Sequence, residues 1–111
     1  MSYAAGDVVL VDLGTTPPGR EQAGVRPAIF VSAEGGVSLL IPLSSNAARL
    51  QFKGTVRIEP DDKNKLAKPS VALVFQLRAV DSHRLLHKIG ALGAKDKQAI
   101  NRVLRSIVLI K

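Results

Sequence analysis

Short apolar segments separated by turn residues recur along most of the chain. The first strand is predicted at Asp7–Leu13, where the continuous run Val8–Val11 is typical of a strand covered on both faces. A third strand at Val37–Leu43 contains Pro42, which indicates that this strand ends or lies at a sheet edge. The other strands are predicted at Arg26–Ser32, Gly54–Glu59, Val71–Val80 and His87–Leu92.

The last part of the chain has a different period. Over Lys95–Ile110, apolar residues follow the i, i+3, i+4, i+7, i+8 spacing of an amphipathic helix; they are Ile100, Val103, Leu104, Ile107 and Val108. Several short strands followed by one amphipathic helix predict a mainly β fold, a small and mostly antiparallel barrel with the helix packed on it.

Composition narrows the class of protein. A chain of 111 residues, 46% of them hydrophobic, suits a single domain over residues 1–111 with its own core. The net charge of +7 favours an anionic partner such as nucleic acid, an acidic protein or a membrane surface. The absence of cysteine excludes disulfides, thiolate metal sites and a cysteine nucleophile. We expect a cytoplasmic protein without membrane association, because the N-terminus lacks a signal-peptide pattern and no apolar run approaches the ~20 residues of a membrane span.

Arg26-Pro27 is the most distinctive local feature. Pro27 fixes its own φ and favours an extended Arg26, so the guanidinium is directed from the start of a strand. An arginine placed in this way can bind a phosphate through two parallel hydrogen bonds. The alternative is a structural arginine that forms an ion pair with a loop carboxylate such as Glu21.

The two histidines, His83 and His87, are four residues apart. On a helix this spacing would give two metal ligands, but the neighbouring Arg84 and Lys88 repel a cation, and we favour solvated basic residues. We therefore predict neither a metal site nor a cofactor.

Two blocks of sequence are similar to those of the MazF/PemK toxin family. The first is Gly6–Leu13 followed by Glu21–Pro27, and the second is Gln76–Asp81 followed by Arg84-Leu85. The resemblance covers nearly the whole chain. It implies the compact SH3-like (CcdB/MazF-like) antiparallel barrel, with a C-terminal helix, paired as a homodimer.

The family resemblance also implies an activity. It points to the toxin of a type II toxin–antitoxin pair, a sequence-specific endoribonuclease that needs neither a ribosome nor a metal. Such an enzyme cleaves single-stranded mRNA by attack of the 2′-OH, which gives 2′,3′-cyclic phosphate and 5′-OH ends. Arg26 would stabilise the charge of the transition state, Ser44 would supply the hydroxyl that is usually threonine in the family, and Glu21 is a possible base. The implied RNA-binding residues are Gln22, Ser45, Gln76 and Arg78.

Two departures from the family pattern leave alternatives open. Phe75 precedes Gln76 where several relatives have an acid, so the base is either Glu21 or Asp81. Phe75 itself is interpreted as a core aromatic in preference to a platform that stacks on a base. Ser45 is an alternative to Ser44 as the source of the hydroxyl.

The expected partners are single-stranded RNA and an acidic, MazE-like antitoxin whose extended tail occupies the RNA groove. Two other functions remain as alternatives. One is a non-catalytic toxin of the same fold that inhibits a protein target such as DNA gyrase, and the other is a basic RNA-binding barrel.

Overall fold

The computed structural model describes residues 2–14 and 23–108, with only the backbone described for Val108. Within these residues, seven strands precede one α-helix. The strands are β1 (Asp7–Asp12), β2 (Val25–Glu34), β3 (Val37–Ser44), β4 (Thr55–Ile58), β5 (Ser70–Leu73), β6 (Arg78–Asp81) and β7 (Leu85–Ala91), and the helix is α1 (Ala94–Val108). Single turns of 3₁₀-helix lie at Ala47–Gln51, Val74–Gln76 and Ser82–Arg84.

Strand β3 is the centre of the sheet. All pairs are antiparallel in the order β4-β5-β3-β2-β1-β7, and β6 also pairs with β3. Along one side of β3 lies β2; the other side is shared, with β6 opposite Val37–Leu40 and β5 opposite Leu43 and Ser44. The mainly β, antiparallel class and the C-terminal helix are thus confirmed.

The expected barrel closure is not observed among the described residues. The strand order ends at β4 on one side and β7 on the other, and the sheet remains open between them. Partway along its length β3 changes partner from β6 to β5, and this change does not pair β4 with β7.

Pro42 lies inside the central strand, so the prediction that it marks a strand end or an edge is wrong. It is opposite Ala28 of β2 and falls between the part of β3 that pairs with β6 and the part that pairs with β5. A residue without a backbone N–H is tolerated there because the partner on that side changes at this point.

The strand predicted over Val71–Val80 is interrupted by the turn Val74–Gln76. Ala72 lies opposite Leu43, and Arg78 lies opposite Leu40. The chain therefore advances six residues from β5 to β6 while β3 advances only three. The turn takes up the three additional residues. Periodicity did not reveal this break because the residues on both sides of it are apolar.

Two apolar clusters cover the two faces of the sheet. Val8 belongs to one cluster and Val9 and Val11 to the other, which confirms that β1 is covered on both faces. Ile100 of α1 is 5% exposed and packs on the Val8 cluster, with Val103, Leu104 and Ile107 partly buried around it. The predicted helix is confirmed from Ala94 to Val108; its last predicted residues, 109 and 110, lie outside the described part of the chain.

The connection between β4 and β5 is built around a buried asparagine. Asn64 has no exposed surface, and its Oδ1 accepts hydrogen bonds from the backbone N–H groups of Asp61 and Leu66. Its Nδ2 donates to the carbonyl of Glu59 at 2.9 Å. This connection packs on β7, where the N–H of Ala91 donates to the carbonyl of Lys63. We call residues 59–66 the Asn64 loop.

In the described part of the chain, no helix is both long enough and apolar enough to cross a membrane. His83 lies in a 3₁₀ turn and His87 on β7, so the two histidines do not share a helix face. The described residues contain no group of three or more histidine, aspartate or glutamate side chains arranged to hold a metal ion.

Candidate active site

The site is formed where β3 ends and both of its neighbours begin. Ser44 is the last residue of β3 and is paired with Val71 of β5. On the other side, the pair Ala28–Pro42 continues in antiparallel register to Arg26 beside Ser44. A cleft of about 230 Å³ opens at this edge of the sheet. We call it the Arg26 cleft; it is lined by Arg26, Pro27, Leu43, Ser44, Ser45, Leu66, Ala67, Lys68 and Ser70.

Arg26 is held by two backbone carbonyls, one just before it in the chain and one near the end of β3. Its Nε donates to the carbonyl of Ala23 at 3.1 Å and its Nη1 to the carbonyl of Leu43 at 3.3 Å. Its own backbone lies in β2, opposite Val11 of β1. These contacts orient the guanidinium plane against the end of β3, whereas the Arg26-Pro27 pattern predicted only the extended backbone near the start of a strand.

Ser44 presents a buried, oriented hydroxyl. The residue is 6% exposed, and its Oγ accepts a hydrogen bond from the backbone N–H of Asn46 at 3.1 Å. A hydroxyl that accepts in this way keeps its own proton for donation. Ser45 also lines the cleft but is exposed, and it lies outside the strand. The structure thus brings Arg26, Ser44 and Ser45 together.

Glu21 and Gln22, the possible base and one predicted RNA-binding residue, lie outside the described residues. The positions on each side of that segment are bonded together. The N–H of Leu13 donates to the carbonyl of Gly24, and the N–H of Gly24 donates to the carbonyl of Gly14. Gly24 has φ +79°, a conformation that residues with a Cβ rarely adopt, so glycine is required for this clamp. The clamp fixes the point from which Arg26 extends.

Asp81 is too far from the cleft to act as the base. It is paired with Val37, at the opposite end of β3 from Ser44. Seven residues of strand separate the two positions, about 23 Å at ~3.3 Å per residue. Of the two candidate bases that the sequence left open, this geometry removes Asp81.

Gln76 and Arg78 are half-buried and do not line the Arg26 cleft. Arg78 is opposite Leu40, four residues along β3 from Ser44, or about 13 Å. The roles of these residues in RNA binding remain predictions. Phe75 is 43% exposed and packs against Phe52 with ring centroids 6.2 Å apart, so the interpretation as a core aromatic is wrong.

Lys68 and Ser70 also lie in the cleft and were not predicted from the sequence. Ser70 begins β5, is 7% exposed, and donates from its Oγ to the carbonyl of Lys68 at 3.1 Å. A signal was present in Lys68-Pro69-Ser70, a basic residue before a proline at the entrance of an apolar strand. Its value depended on knowing that β5 pairs with the end of β3, which periodicity does not show.

The described lining of the Arg26 cleft carries two cations, Arg26 and Lys68, and no carboxylate. It is therefore suited to an anion.

Asp96, in the first turn of α1, has a perturbed carboxyl group away from the cleft. Burial and then the nearby carboxylate of Asp61 raise the pKa of Asp96 above its usual value.

Solved structures share this architecture. A MazF crystal structure from Deinococcus radiodurans superposes with a TM-score of 0.77 at 24% identity, covering 97% of each chain. A mycobacterial endoribonuclease solved in complex with its cognate antitoxin gives a TM-score of 0.72 at 17% identity, covering 99% of each chain. At these identities, the likeness establishes the fold.

Sequence comparison establishes the family. The Endoribonuclease MazF of Staphylococcus saprophyticus is 31% identical over 104 residues, which are 89% of this chain and 85% of that protein. The profile of the family described as PemK-like, MazF-like toxin of type II toxin–antitoxin system matches residues 4–108. The chain therefore belongs to the PemK-like, MazF-like toxin family of type II toxin–antitoxin systems.

Proposed function

We propose that this protein is an endoribonuclease toxin that cleaves single-stranded mRNA without a metal ion or a ribosome. The observation that carries the proposal is the meeting of a fixed guanidinium and a buried hydroxyl, Arg26 and Ser44, in one cationic cleft. The similarity to an endoribonuclease over most of the chain supports the same activity.

The chemistry needs few protein groups because RNA carries its own nucleophile. A base takes the proton of the 2′-OH, whose oxygen then attacks the adjacent phosphorus. The bond to the 5′ oxygen breaks, and that oxygen takes up a proton as it leaves. The products are a 2′,3′-cyclic phosphate and a 5′-OH.

In this scheme, Arg26 stabilises the charge that develops on the non-bridging oxygens of the pentavalent phosphorane. Ser44 donates a hydrogen bond from its O–H to the same phosphate, while the Asn46 N–H holds its oxygen in place. We assign the base to Glu21, the candidate that remains once the distance to Asp81 is taken into account.

The proposed partners follow from the positive charge. One solved structure with this fold contains an endoribonuclease together with its cognate antitoxin. We infer that this chain also binds an acidic, MazE-like antitoxin, that an extended segment of it covers the Arg26 cleft, and that the toxin is a cytoplasmic homodimer. With +7 per chain, both RNA and an acidic segment are attracted to the same site.

An RNA assay, read together with growth on expression, separates the proposed activity from its alternatives. Purified protein is incubated with RNA of mixed sequence in EDTA, and the products are resolved on a gel and mapped at their ends. Discrete fragments with 2′,3′-cyclic phosphate ends support the nuclease. Retarded but intact RNA indicates an RNA-binding protein, and neither effect, together with growth arrest on expression, indicates a protein target such as gyrase.

A further inference from the structure

A second cleft continues the first across the sheet edge. It has a volume of about 240 Å³ and is lined by Ser45, Ala47, Arg57, Lys68, Pro69, Ser70 and Val71. We call it the Arg57 cleft. Three residues line both clefts, namely Ser45, Lys68 and Ser70. The two openings are therefore parts of one groove, and Lys68 stands where they meet.

The backbone at Lys68 is fixed on both sides. Before it, Leu66 is 9% exposed, belongs to the Val8 cluster, and donates its N–H to the buried Asn64. After it, Pro69 favours an extended Lys68, and the hydroxyl of Ser70 bonds to the Lys68 carbonyl. The ammonium group therefore extends from an anchored position.

Lys68-Pro69 repeats the arrangement of Arg26-Pro27. In each case a basic residue precedes a proline near the start of a strand, and the two strands, β2 and β5, pair with β3 on opposite sides. Ser44, at the end of β3, is between them. The two cations thus flank the hydroxyl from the two neighbouring strands.

The groove continues to a third cation. Arg57 of β4 lines the second cleft and forms an ion pair with Glu59. Both side chains are about half exposed, 49% for Arg57 and 61% for Glu59. An exposed pair of this kind is weak, so an entering phosphate competes with Glu59 for Arg57.

We propose that Lys68 binds the phosphate adjacent to the cleaved one, so that the substrate backbone runs from the Arg26 cleft into the Arg57 cleft. This inference rests on the proposed ribonuclease function and adds to it a binding residue and a direction for the strand. Lys68 contacts a phosphate that does not react, and it contributes equally to the ground state and the transition state. Its loss should therefore raise KM and leave kcat unchanged, the opposite of what is expected for Arg26.

The first experiment compares Lys68→Gln with Lys63→Gln. Both remove one positive charge from the same connection, but the side chain of Lys63 is exposed and lines neither cleft. The probe is a short RNA that contains a mapped cleavage site, with a 2′-deoxy nucleotide replacing the one that supplies the nucleophile. For Lys68→Gln we expect Kd to rise about fivefold and the slope of log K against log[salt] to become shallower by about 0.7. For Lys63→Gln we expect the slope of the wild-type protein, and for Lys68→Arg a recovery of affinity.

A double-mutant cycle then identifies the phosphate. Each phosphate of the probe is replaced in turn by an uncharged methylphosphonate, and binding is measured to wild type and to Lys68→Gln. At the phosphate next to the cleavage site, the replacement should weaken binding to wild type and have no further effect on the variant. At the other phosphates, the two losses should add.

Two results would overturn the inference while leaving the nuclease intact. One is that the wild-type protein cleaves RNA while Lys68→Gln and Lys63→Gln bind the RNA probe with the same Kd and the same salt slope. The other is additive losses at every phosphate. A wild type that cleaves no RNA would remove the proposed function and this inference together.

Discussion

At the scale of single residues, the arrangement assigns different tasks to Arg26 and Ser44. Arg26 has two bonds to backbone carbonyls and therefore supports the end of β3 as well as facing the cleft. Ser44 is buried and bonded to the N–H of the residue two positions on. A substitution at either position thus changes a contact in the folded protein, and stability must be measured beside activity.

Replacement of Arg26 by alanine should lower kcat by about 10²–10³ because a charged donor to the transition state is lost. The loss of two backbone bonds should also lower the free energy of unfolding by roughly 1–3 kcal/mol. Single-turnover cleavage and thermal unfolding measure the two effects. Arg102→Ala, an exposed arginine on α1, is the control for charge. Cleavage by folded Arg26→Ala within about threefold of the wild-type rate would make Arg26 purely structural.

Replacement of Ser44 by alanine should reduce cleavage by at least about tenfold, while Ser44→Thr should retain it because the hydroxyl is kept. Threonine also restricts χ1, which favours a fixed hydroxyl. Ser45→Ala is measured in the same assay because Ser45, which is exposed, is the alternative source of the hydroxyl. Loss of activity in Ser45→Ala with full activity in Ser44→Ala would move the role by one residue.

At the scale of elements, the Asn64 loop connects the core to the wall of the cleft. Through Asn64 it holds Leu66, and through the Lys63 carbonyl it is attached to β7. Gly90 of β7 lies directly under this connection. A Cβ built at Gly90 would be 2.4 Å from the carbonyl oxygen of Asn64 and 2.6 Å from that of Lys63.

We therefore expect Gly90→Ala to destabilise the protein by about 1–3 kcal/mol, since the obstacle is backbone and cannot rotate away. Because the Asn64 loop leads to Lys68, the variant should also bind RNA more weakly. The control is Gly93→Ala, where the added methyl has open space and the cost should stay below about 1 kcal/mol. Equal melting temperatures for the two variants would show that the Asn64 loop can move away from β7 without a loss of stability.

The parts of the fold that the sequence predicts are those that depend on interactions between residues close together in the chain. The strands β1, β2 and β3, the helix and the extended backbone of Arg26 depend on local rules of periodicity and proline geometry, and the sequence predicted them. The turn at Val74–Gln76, the place of Pro42 inside the sheet and the meeting of β5 with the end of β3 depend on partners more than twenty residues away. Lys68 was missed for this reason, and the exposure of Phe75 follows from the same unpredicted turn.

At the scale of the whole molecule, the apolar strand β5 gives no reason to expect a homodimer. The apolar run over Val71–Val74 is buried within a single chain and needs no partner. Other large apolar side chains of the described residues remain exposed on a single chain; they are Val25, Val37, Leu50, Phe75 and Leu86.

We expect sedimentation at micromolar concentration to give twice the mass of one chain. The physical reason is the apolar surface that a small domain leaves uncovered, which association would bury. A concentration series provides the control, because a stable dimer keeps its mass on dilution. A monomer throughout the micromolar range would contradict the prediction.

The charge of the molecule predicts how its two ligands compete. If the groove neutralises about four phosphates, the slope of log K against log[salt] for single-stranded RNA should be roughly −3. The acidic antitoxin that we propose as a partner should displace a non-cleavable RNA, and Arg26→Ala should weaken both ligands. A competition titration at two salt concentrations measures this. A ternary complex with undiminished RNA affinity would mean that the antitoxin acts away from the cleft.

The clamp between Leu13, Gly14 and Gly24 separates Arg26 from the segment that precedes it. Both of its hydrogen bonds join backbone atoms, and they are completed before the chain reaches Arg26. The residues between Gly14 and Ala23 can therefore change in number and kind without displacing the guanidinium. Since Glu21, the proposed base, lies in that segment, such changes would leave charge stabilisation by Arg26 in place but alter the group that takes the proton of the 2′-OH.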